Sequence, residues 1–486
     1  MEFKVHGHAC LEVLASGKSL ICDPWLVGSA YWRSWWNYPP LQENILESIS
    51  PDYIYITHLH WDHFHGPSLR KLGTDKTVII PKTPELRLLN DIKSIGFKNI
   101  IELEHGESFQ IGDDFKITSY QFWPIFADSV LIVEAEGQVL FNSNDAKVIG
   151  SPLKHILKLH PQIDFVLRSH SSANSRVCYE VVDEGGSHVD DMDKYSQDFA
   201  SFACAVGARY AVPFASNQCC LHPETIGYNE YNNYAHKVAQ YFREHQINKP
   251  ECVVMAPGDS WSSNAGFALQ DNREWYGDAN ARIAKYRQEK AKTLDKVVAK
   301  EKQTKFKEFL AKRYAEWMLK ETPWFIRRYF KDHPITIIGY SDVETKALFL
   351  DLHDKKYEII DSWNLEDNPI QIYVNNAVIN DVWAKRHWNS LGVSKRLKIK
   401  LKKEDLNYYD IFNMLNNALE AGSLQSRYIF TRRYITAYLK RWREILLYLN
   451  IIFSGFIGRK FKYEDYLPLD SEMKLDLGES RELMVS

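Results

Sequence analysis

Four residues with metal-binding side chains occur within six positions of this sequence. His58, His60, Asp62 and His63 follow a short apolar run, Tyr53 to Ile56, which predicts a buried strand. Imidazole nitrogens and carboxylate oxygens suit a divalent metal ion of borderline softness, and no cysteine belongs to the set. His58 and His60 are two residues apart, so an extended segment directs both to the same side. The spacing therefore predicts a metal site after a strand rather than a histidine-rich surface loop.

The string H-x-H-x-D-H formed by these residues resembles the signature of the metallo-β-lactamase fold. The resemblance implies an α/β fold, an αββα metallo-β-lactamase sandwich, and a metal-bridging carboxylate at a strand end late in the first half of the chain. Asp145, which closely follows the predicted strand from Gln138 to Phe141, is assigned that role. We therefore expect one or two divalent ions, held by His58, His60, Asp62, His63 and Asp145.

Two predicted strands at the start of the chain, Phe3 to Leu14 and Ser19 to Cys22, carry further polar residues toward the metal site. Asp23, at the end of the second strand, is expected to accept the second ring N–H of a ligating histidine. The alternative is a turn aspartate that precedes Pro24. His8 is predicted to contact a metal ligand or the substrate, with a structural role as the alternative.

Three further residues are candidates for chemistry. Arg33 lies in an aromatic loop, Tyr31 to Pro40, and is a candidate for recognition of an anionic group. His170 and His222 each follow a predicted strand, and each is a candidate metal ligand or acid–base group, with a structural role as the alternative. The predicted catalytic residues are Asp62, His170 and His222.

The composition is that of an ordinary globular protein long enough for two or more domains: 486 residues, 45% hydrophobic and 25% charged. The formal net charge of −3 gives no bulk basicity, so no nucleic-acid partner is expected. Seven irregularly spaced cysteines favour free thiols in a reducing compartment. Because the amino terminus lacks the apolar core of a signal peptide, we predict a cytoplasmic protein.

Three regions are predicted along the chain: a metal-binding catalytic domain over 1–270, a charged helical connector over 271–332, and a carboxyl-terminal α+β domain over 333–486. The mixed charge of the connector is typical of a solvated helix face. In the last region, apolar patterns precede helices that become basic near the end. These apolar patterns predict strands at Ile335–Tyr340, Ala347–Leu352, Ile370–Val374 and Leu397–Leu401.

A basic cluster precedes an apolar run near the carboxyl terminus. The run, from Ile445 to Gly458, is too short to span a bilayer. A buried helix with a basic face is the preferred interpretation, and an amphipathic helix on a membrane surface is the alternative. Membrane contact is therefore the less favoured prediction.

Motifs beyond the metal loop resemble one branch of the fold, the CMP-N-acetylneuraminate hydroxylases. They are His8-Ala9-Cys10, Asp23-Pro24-Trp25-Leu26, Trp35-Trp36, Ala208-Arg209-Tyr210 and Pro213-Phe214-Ala215. The resemblance touches most of the chain and is strongest in its amino-terminal part. It implies a non-haem iron enzyme that hydroxylates a nucleotide-activated sugar or a similar small anionic substrate.

Two features depart from that branch. Its members carry a Rieske iron–sulfur domain ahead of this region, and such a cluster needs two thiolates and two imidazoles. Here only Cys219 or Cys220 with His222 has a suitable spacing. No Rieske cluster is therefore expected in this chain, and electrons are expected from a separate ferredoxin, Rieske protein or reductase. Trp123 stands where the branch has a histidine ligand, so His170 or His222 would replace that ligand, or the centre would be mononuclear.

Three functions follow from these observations. The preferred one is an iron-dependent monooxygenase. The alternative is a zinc-dependent hydrolase of phosphodiester, lactone or ester bonds, in which the metal lowers the pKa of a bound water. The third is a non-catalytic relative with a degenerate metal site.

Overall fold

The computed structural model describes residues 1–123, 127–171, 173, 175–184, 192–270, 273–456 and 461–469. The described residues form both strands and helices, as expected for the predicted α/β class. Within the described residues, no helix combines the length and the apolar character that crossing a membrane requires.

The strands of the first half of the chain are β1 (Glu2–Val5), β2 (Leu11–Ala15), β3 (Lys18–Cys22), β4 (Ser29–Ala30), β5 (Trp35–Asn37), β6 (Tyr53–Tyr55), β7 (Thr77–Pro81), β8 (Ile100–Leu103), β9 (Glu107–Gly112), β10 (Phe115–Phe122), β11 (Asp128–Ala135), β12 (Gln138–Asn144), β13 (Phe165–Ser169), β14 (Tyr179–Val181), β15 (Tyr210–Phe214) and β16 (Gln218–Cys220). Those that follow are β17 (Glu251–Cys252), β18 (Ser260–Ser262), β19 (Gly266–Ala268), β20 (Ile335–Tyr340), β21 (Thr345–Asp351), β22 (Lys356–Ile360), β23 (Ile370–Asn375) and β24 (Leu397–Leu401).

The helices up to the connector are α1 (Gly66–Leu72), α2 (Arg87–Ile95), α3 (Gly150–Leu159), α4 (Met192–Val206), α5 (Ala235–Glu244), α6 (Arg273–Gly277), α7 (Ala279–Glu289), α8 (Ala291–Lys302), α9 (Glu308–Glu321) and α10 (Trp324–Tyr329). Those of the carboxyl-terminal region are α11 (Asn376–Lys385), α12 (Trp388–Ser394), α13 (Leu406–Glu420), α14 (Ser426–Ile429), α15 (Arg432–Lys440) and α16 (Trp442–Phe456).

An eight-stranded and a seven-stranded sheet pack against each other. Their strand orders are β19-β18-β1-β2-β3-β6-β7-β8 and β17-β15-β13-β12-β11-β10-β9. Side chains of both sheets, such as Phe3, Leu131 and Phe165, form the core between them. Leu69 of α1 and Ile92 of α2 pack on the outer side of the first sheet, and α3, α4 and α5 pack on the second. This arrangement confirms the predicted αββα sandwich.

The first predicted strand is wrong in its extent. The segment from Phe3 to Leu14 is not a single strand, because the chain turns after β1 and β2 pairs with it in the antiparallel direction. A Cβ atom on Gly7 would lie 2.5 Å from the side-chain oxygen of Asn37, so only glycine fits at this turn. The same turn holds His8, which is buried.

A six-stranded sheet of order β14-β24-β23-β20-β21-β22 forms the centre of the carboxyl-terminal region. Strands β20, β21, β23 and β24 lie where the sequence predicts strands. Strand β14 comes from the first half of the chain and pairs in parallel with β24, with Tyr179 opposite Ile399. The two parts of the chain therefore share a sheet, and the boundaries predicted from the sequence stay a prediction.

Helices α15 and α16 bury one face only. Tyr434, Arg441 and Leu447 are buried, and Leu447 belongs to the same core as the inner side of α3. The opposite face carries exposed apolar side chains, among them Leu439 and Phe453. The interpretation of a buried helix with a basic face is therefore wrong, because the outer face is exposed and mainly apolar.

Candidate metal centre

The predicted metal ligands come together where parallel strands of the two sheets end. Strand β6 leads into the segment from His58 to His63, and β12 leads into Asp145. Strand β6 is parallel to β3 and β7, and β12 is parallel to β13. Asn144 has a left-handed backbone (φ 53°), and the next residue, Asp145, lies beside His63. This end of the sandwich gathers donors that are distant in sequence.

Two imidazoles form the first group of donors. Nε2 of His58 lies 2.8 Å from Nδ1 of His60. The hydroxyl of Thr57 donates its single proton to Oδ2 of Asp23, at 2.7 Å, and its oxygen lies 3.0 Å from Nδ1 of His58. Because the Thr57 hydroxyl has no second proton to give, Nδ1 of His58 must carry the proton and donate the hydrogen bond in that contact. A neutral His58 then has its lone pair on Nε2, the atom beside His60, as metal ligation requires.

A second group of donors surrounds Asp62 and His63. Oδ2 of Asp62 lies 3.5 Å from Nε2 of His63 and 2.9 Å from Nε2 of His8. Oδ2 of Asp145 lies 3.2 Å from the same nitrogen of His63. Both Nε2 atoms are buried, and none of these three contacts has hydrogen-bond geometry. Neither Nε2 atom has a hydrogen-bond partner among the described residues. Buried donor atoms that converge without hydrogen bonds fit a metal ion.

The two groups are close enough to share a carboxylate. Among the described residues, two sets of three side chains have ligand atoms within 4.8 Å of one another: His8, Asp62 and His63, and His58, His63 and Asp145. Asp145 therefore reaches donors of both groups, as a bridging carboxylate must. The imidazole and carboxylate donors suit one or two divalent ions of borderline softness.

Carboxylates behind the donors orient two of the histidines. Oδ2 of Asp23 lies 2.9 Å from Nδ1 of His63. Oδ1 of Asp128 lies 3.1 Å from Nδ1 of His58. Sequence reasoning includes Asp23 but misses Asp128, whose only signal is an acidic side chain at the start of a strand close to Trp123. Such contacts fix the tautomer and orientation of a ligating ring.

The phenol of Tyr31 is a second residue that sequence reasoning misses. Its hydroxyl donates a hydrogen bond of 2.5 Å to Oδ1 of Asp62. The other oxygen of Asp62 is the one that faces His8 and His63. Tyr31 belongs to the aromatic loop identified in the sequence, where nothing distinguishes it from its aromatic neighbours.

Burial and neighbouring charges set the protonation of the centre. Burial, with His58 as the next cause, lowers the pKa of His60 to about 3. Burial also acts to lower the pKa of His63, but Asp62 and Asp23 outweigh it, so this pKa is raised well above its ordinary value. The pKa values of Asp62 and Asp145 are lowered, because His63 outweighs the opposing effect of burial. A proton on His63 and a metal ion therefore compete for the same place.

Three other predicted residues have different surroundings. His222 is buried with Nε2 3.1 Å from Oε2 of Glu301, and Arg33 donates to the hydroxyl of Ser29 at 3.1 Å. Neither belongs to the described lining of the cavity above the donors. His170 is buried between the cavity-lining Ser169 and Ser171, and burial lowers its pKa to about 3. The structure therefore brings His170 near the donors and leaves His222 and Arg33 apart from them.

A cavity of about 440 Å³ lies over the donors. Its lining includes His58, His60, Asp62 and Asp145. Trp123, at the usual histidine position, also lines it and is 52% exposed. The carboxyl-terminal helices α12 and α13 complete the cavity, so it is formed by both parts of the chain.

Amide side chains form part of the cavity lining: Gln218, Asn389, Asn413 and Asn417. Oε1 of Gln218, Nδ2 of Asn389 and Oδ1 of Asn417 are buried without a hydrogen-bond partner among the described residues. Atoms of this kind are available to hydroxyl or amide groups of a bound molecule. Lys147 is the cationic side chain in the described lining.

Comparison with known proteins gives related matches over parts of the chain. Residues 2–124 match the family described as a β-lactamase superfamily domain. The putative Rieske 2Fe-2S iron-sulfur protein of Mycolicibacterium smegmatis is 30% identical over 244 residues, which are 46% of this chain and 45% of that protein. The cytidine monophosphate-N-acetylneuraminic acid hydroxylase of Mus musculus is 31% identical over 145 residues, which are 28% of this chain and 25% of that protein.

These matches are partial on both sides, because the chain spans less than half the length of the curated relatives it matches. Among solved structures, the isothiocyanate hydrolase from Delia radicum gut bacteria is similar, with a TM-score of 0.39 and 15% identity. That similarity covers 55% of this chain and 100% of the hydrolase.

Proposed function

We propose that this chain, whose residues 2–124 match the family described as a β-lactamase superfamily domain, is a metal-dependent monooxygenase that hydroxylates a small polar substrate. The observation that carries the proposal is the convergence of two groups of imidazole and carboxylate donors beneath one cavity. The similarity to a cytidine monophosphate-N-acetylneuraminic acid hydroxylase favours oxidation over hydrolysis. Oxidation by O₂ needs a redox-active metal, which favours iron over zinc, because zinc has no redox chemistry. Similarity to a putative Rieske protein agrees with an electron-transfer partner such as a ferredoxin, a Rieske protein or a reductase.

Each donor has a separate task in this proposal. His58 and His60 would hold one ion, and Asp62 and His63, with His8 beside them, would hold a second. Asp145, which lies within reach of His58 and His63, would be available to either. Bound iron would supply the activation of O₂ and the transfer of one oxygen atom to the substrate.

Residues behind the metal donors orient them for binding. Asp128 holds Nδ1 of His58, and Asp23 holds Nδ1 of His63, so that each ring presents Nε2. Tyr31 holds one oxygen of Asp62 and leaves the other directed at His63. Because these contacts are buried, they restrict how the two rings and the carboxylate of Asp62 can turn.

The substrate is expected to carry hydroxyl or amide groups and at least one negative charge. Asn389, Asn417 and Gln218 each offer an amide atom that has no hydrogen-bond partner among the described residues, and Lys147 lies in the same lining. A nucleotide-activated sugar has all of these groups. The cavity of about 440 Å³ falls within the usual size range for a small-molecule site.

The alternative function is zinc-dependent hydrolysis of a phosphodiester, lactone or ester bond. It is favoured by the donor set itself, because histidine and aspartate are the ligands of hydrolytic zinc sites. Bound zinc would lower the pKa of a water molecule and so supply the nucleophile. Asp62 or Asp145 would accept a proton from that water and orient it. Trp123 in place of a third imidazole is the feature that would fit a degenerate site.

The test is the metal content of the full chain purified without added metal, measured with absorbance spectra before and after anaerobic reduction. About two irons per chain, with an absorption band that reduction removes, are expected for the oxygenase. Zinc alone would overturn the oxidative proposal in favour of hydrolysis. A metal-free protein that binds neither ion on titration would overturn both.

A pair of variants links the measured metal to this centre. His60→Ala removes a donor of the first group and is expected to abolish binding of at least one ion. His353→Ala is the matched control, because His353 is exposed and pairs with Asp354 at the surface. If His60→Ala retained all its metal, the assignment of the centre would be wrong.

A further inference from the structure

The outer face of helices α15 and α16 is apolar and exposed. Its six side chains recur every three or four residues and are between 46% and 67% exposed: Ile435, Leu439, Trp442, Leu446, Leu449 and Phe453. We call this set the α15–α16 surface. Helical residues at such spacing lie along one side, so they form a continuous stripe within each helix. Exposed apolar stripes of this kind mark interaction sites.

The inner face of the same helices fixes the surface to the protein. Leu447 packs in the core beneath α3. Arg433 forms an ion pair of 2.5 Å with Glu102, and Lys440 pairs with Glu104. The exposed side chains are therefore presented on anchored helices rather than on a free terminal segment.

The segment that carries the surface has charged side chains of almost one sign. From residue 422 to residue 456 the sequence has one acidic side chain, Glu444, which is buried and pairs with Arg441. Arg432 and Arg443 flank the apolar side chains and form no ion pair among the described residues. The guanidinium of Arg443 lies 4.4 Å over the ring of Trp442. Anionic groups on the bound partner would therefore be attracted to the part of the stripe near Arg432 and Arg443.

We propose that the α15–α16 surface docks on the face of an anionic lipid membrane. Apolar and aromatic side chains enter the boundary between headgroups and acyl chains, and flanking arginines attract anionic headgroups. The helices would lie in the interface, because α16 has 15 residues and no described helix suits a membrane span. A second copy of this chain is a poorer occupant, since symmetric pairing would bring the arginines together without an exposed acid in the segment to neutralise them.

The inner face of the docking helices contacts the rim of the metal cavity. The backbone N–H of Trp123, which lines the cavity, donates to Oε1 of Glu444 at 2.7 Å. Nη2 of Arg441 donates to the carbonyl of the same tryptophan at 2.6 Å. The docking proposal does not depend on which reaction the centre performs.

The experiment is co-sedimentation of the full chain with unilamellar vesicles. Vesicles of phosphatidylcholine with about 30% phosphatidylserine are compared with phosphatidylcholine alone, from about 50 to about 300 mM NaCl. The expected result is binding that requires phosphatidylserine and weakens as salt rises. Absence of binding to the anionic vesicles at low salt would overturn the proposal.

Three variants test whether this surface is responsible. Arg432→Glu/Arg443→Glu is expected to weaken binding at least about 20-fold, at roughly fivefold for each lost cation. Leu439→Ser/Leu446→Ser is expected to weaken binding about tenfold, because it removes apolar contact with the bilayer. Phe309→Ser is the control, since Phe309 is 65% exposed on α9 outside the surface.

The variants are compared at equal thermal stability and helix content, so that unfolding does not imitate lost binding. Equal vesicle binding by wild type, control and both double variants would overturn the assignment of this surface. Sedimentation velocity distinguishes a membrane from a second copy of the chain as the partner of this surface. A dimer that Leu439→Ser/Leu446→Ser dissociates, without vesicle binding by the wild type, would overturn the membrane proposal and assign the surface to a second copy.

Discussion

The carboxylate of Asp128 lies 3.1 Å from Nδ1 of His58, on the side of the ring opposite His60. Burial alone would lower the pKa of His58, but Asp128 outweighs it and raises this pKa. The same relationship exists between Asp23 and Nδ1 of His63. Each group of metal donors therefore has one histidine held from behind by a carboxylate, which leaves Nε2 directed toward the other donors.

Asp128→Asn is expected to weaken metal binding by about 10- to 100-fold while the fold is retained, because an amide holds the His58 ring less firmly. Competition with a chelating dye measures the affinity. Asp113→Asn, at an exposed aspartate, is the matched control. Unchanged affinity in Asp128→Asn would show that Asp128 does not position His58.

The buried guanidinium of Arg396 joins three parts of the chain. It donates to Glu301 at 2.9 Å, to Glu224 at 2.8 Å and to the carbonyl of Trp32 at 2.7 Å. Arg396→Met leaves Glu301 buried without its cation, so we expect unfolding to become easier by about 3 kcal/mol. Urea denaturation measures the difference.

An exposed ion pair gives the comparison for that variant. Arg427 pairs with Glu321 at 3.3 Å near the surface, and Arg427→Met is expected to cost less than about 1 kcal/mol. Similar costs for Arg396→Met and Arg427→Met would show that the buried network contributes little to stability.

Local pattern predicts much of the fold. Strands β20, β21, β23 and β24 and the αββα sandwich follow from apolar runs and from one motif, whereas β22 is not predicted. The segment from Phe3 to Leu14 is predicted as one strand, since its apolar character hides a turn that depends on the contact between Gly7 and Asn37. The pairing of β14 with β24 is not predictable from local pattern, because 215 residues separate their ends.

The metal centre likewise contains some residues that the sequence predicts and others that it does not. His58, His60, Asp62 and His63 are evident from spacing, because one loop carries all four. Asp128 and Tyr31 act through contacts made only in the folded chain, so their sequence context does not identify them. His222 has the sequence context of a ligand, yet its partner is Glu301 on α8, which no local signal indicates.

Stability is expected to fall as pH rises from about 6 to about 8, owing to Glu420. Burial raises the pKa of Glu420 to about 8, from an ordinary value of 4.5. Between pH 4.5 and 8 the folded state keeps this proton and the unfolded state has lost it. The contribution of Glu420 to stability is therefore complete below pH 4.5, falls as pH rises, and is lost once pH passes 8. The expected loss is about 2 kcal/mol between pH 6 and 8. Thermal unfolding across that range measures it.

Glu420→Gln should remove this part of the pH dependence. Glutamine keeps an oxygen to accept the N–H of Trp388, which now donates to Glu420 at 2.7 Å. Glu366→Gln, at an exposed position, should leave the dependence unchanged. An equal slope in wild type and Glu420→Gln would mean that Glu420 does not titrate in this range.

Glu444→Ala is expected to release the backbone at the cavity rim. Glu444 accepts the N–H of Trp123 and pairs with Arg441, which itself donates to the carbonyl of Trp123. Removing the carboxylate leaves the buried guanidinium of Arg441 without its anion and the N–H of Trp123 without its acceptor, at a local cost of about 1–3 kcal/mol. Hydrogen exchange of the Trp123 amide should therefore accelerate about tenfold or more. Glu464→Ala, at a carboxylate outside this network, is the control, and equal exchange in both variants would mean that α16 does not hold the rim.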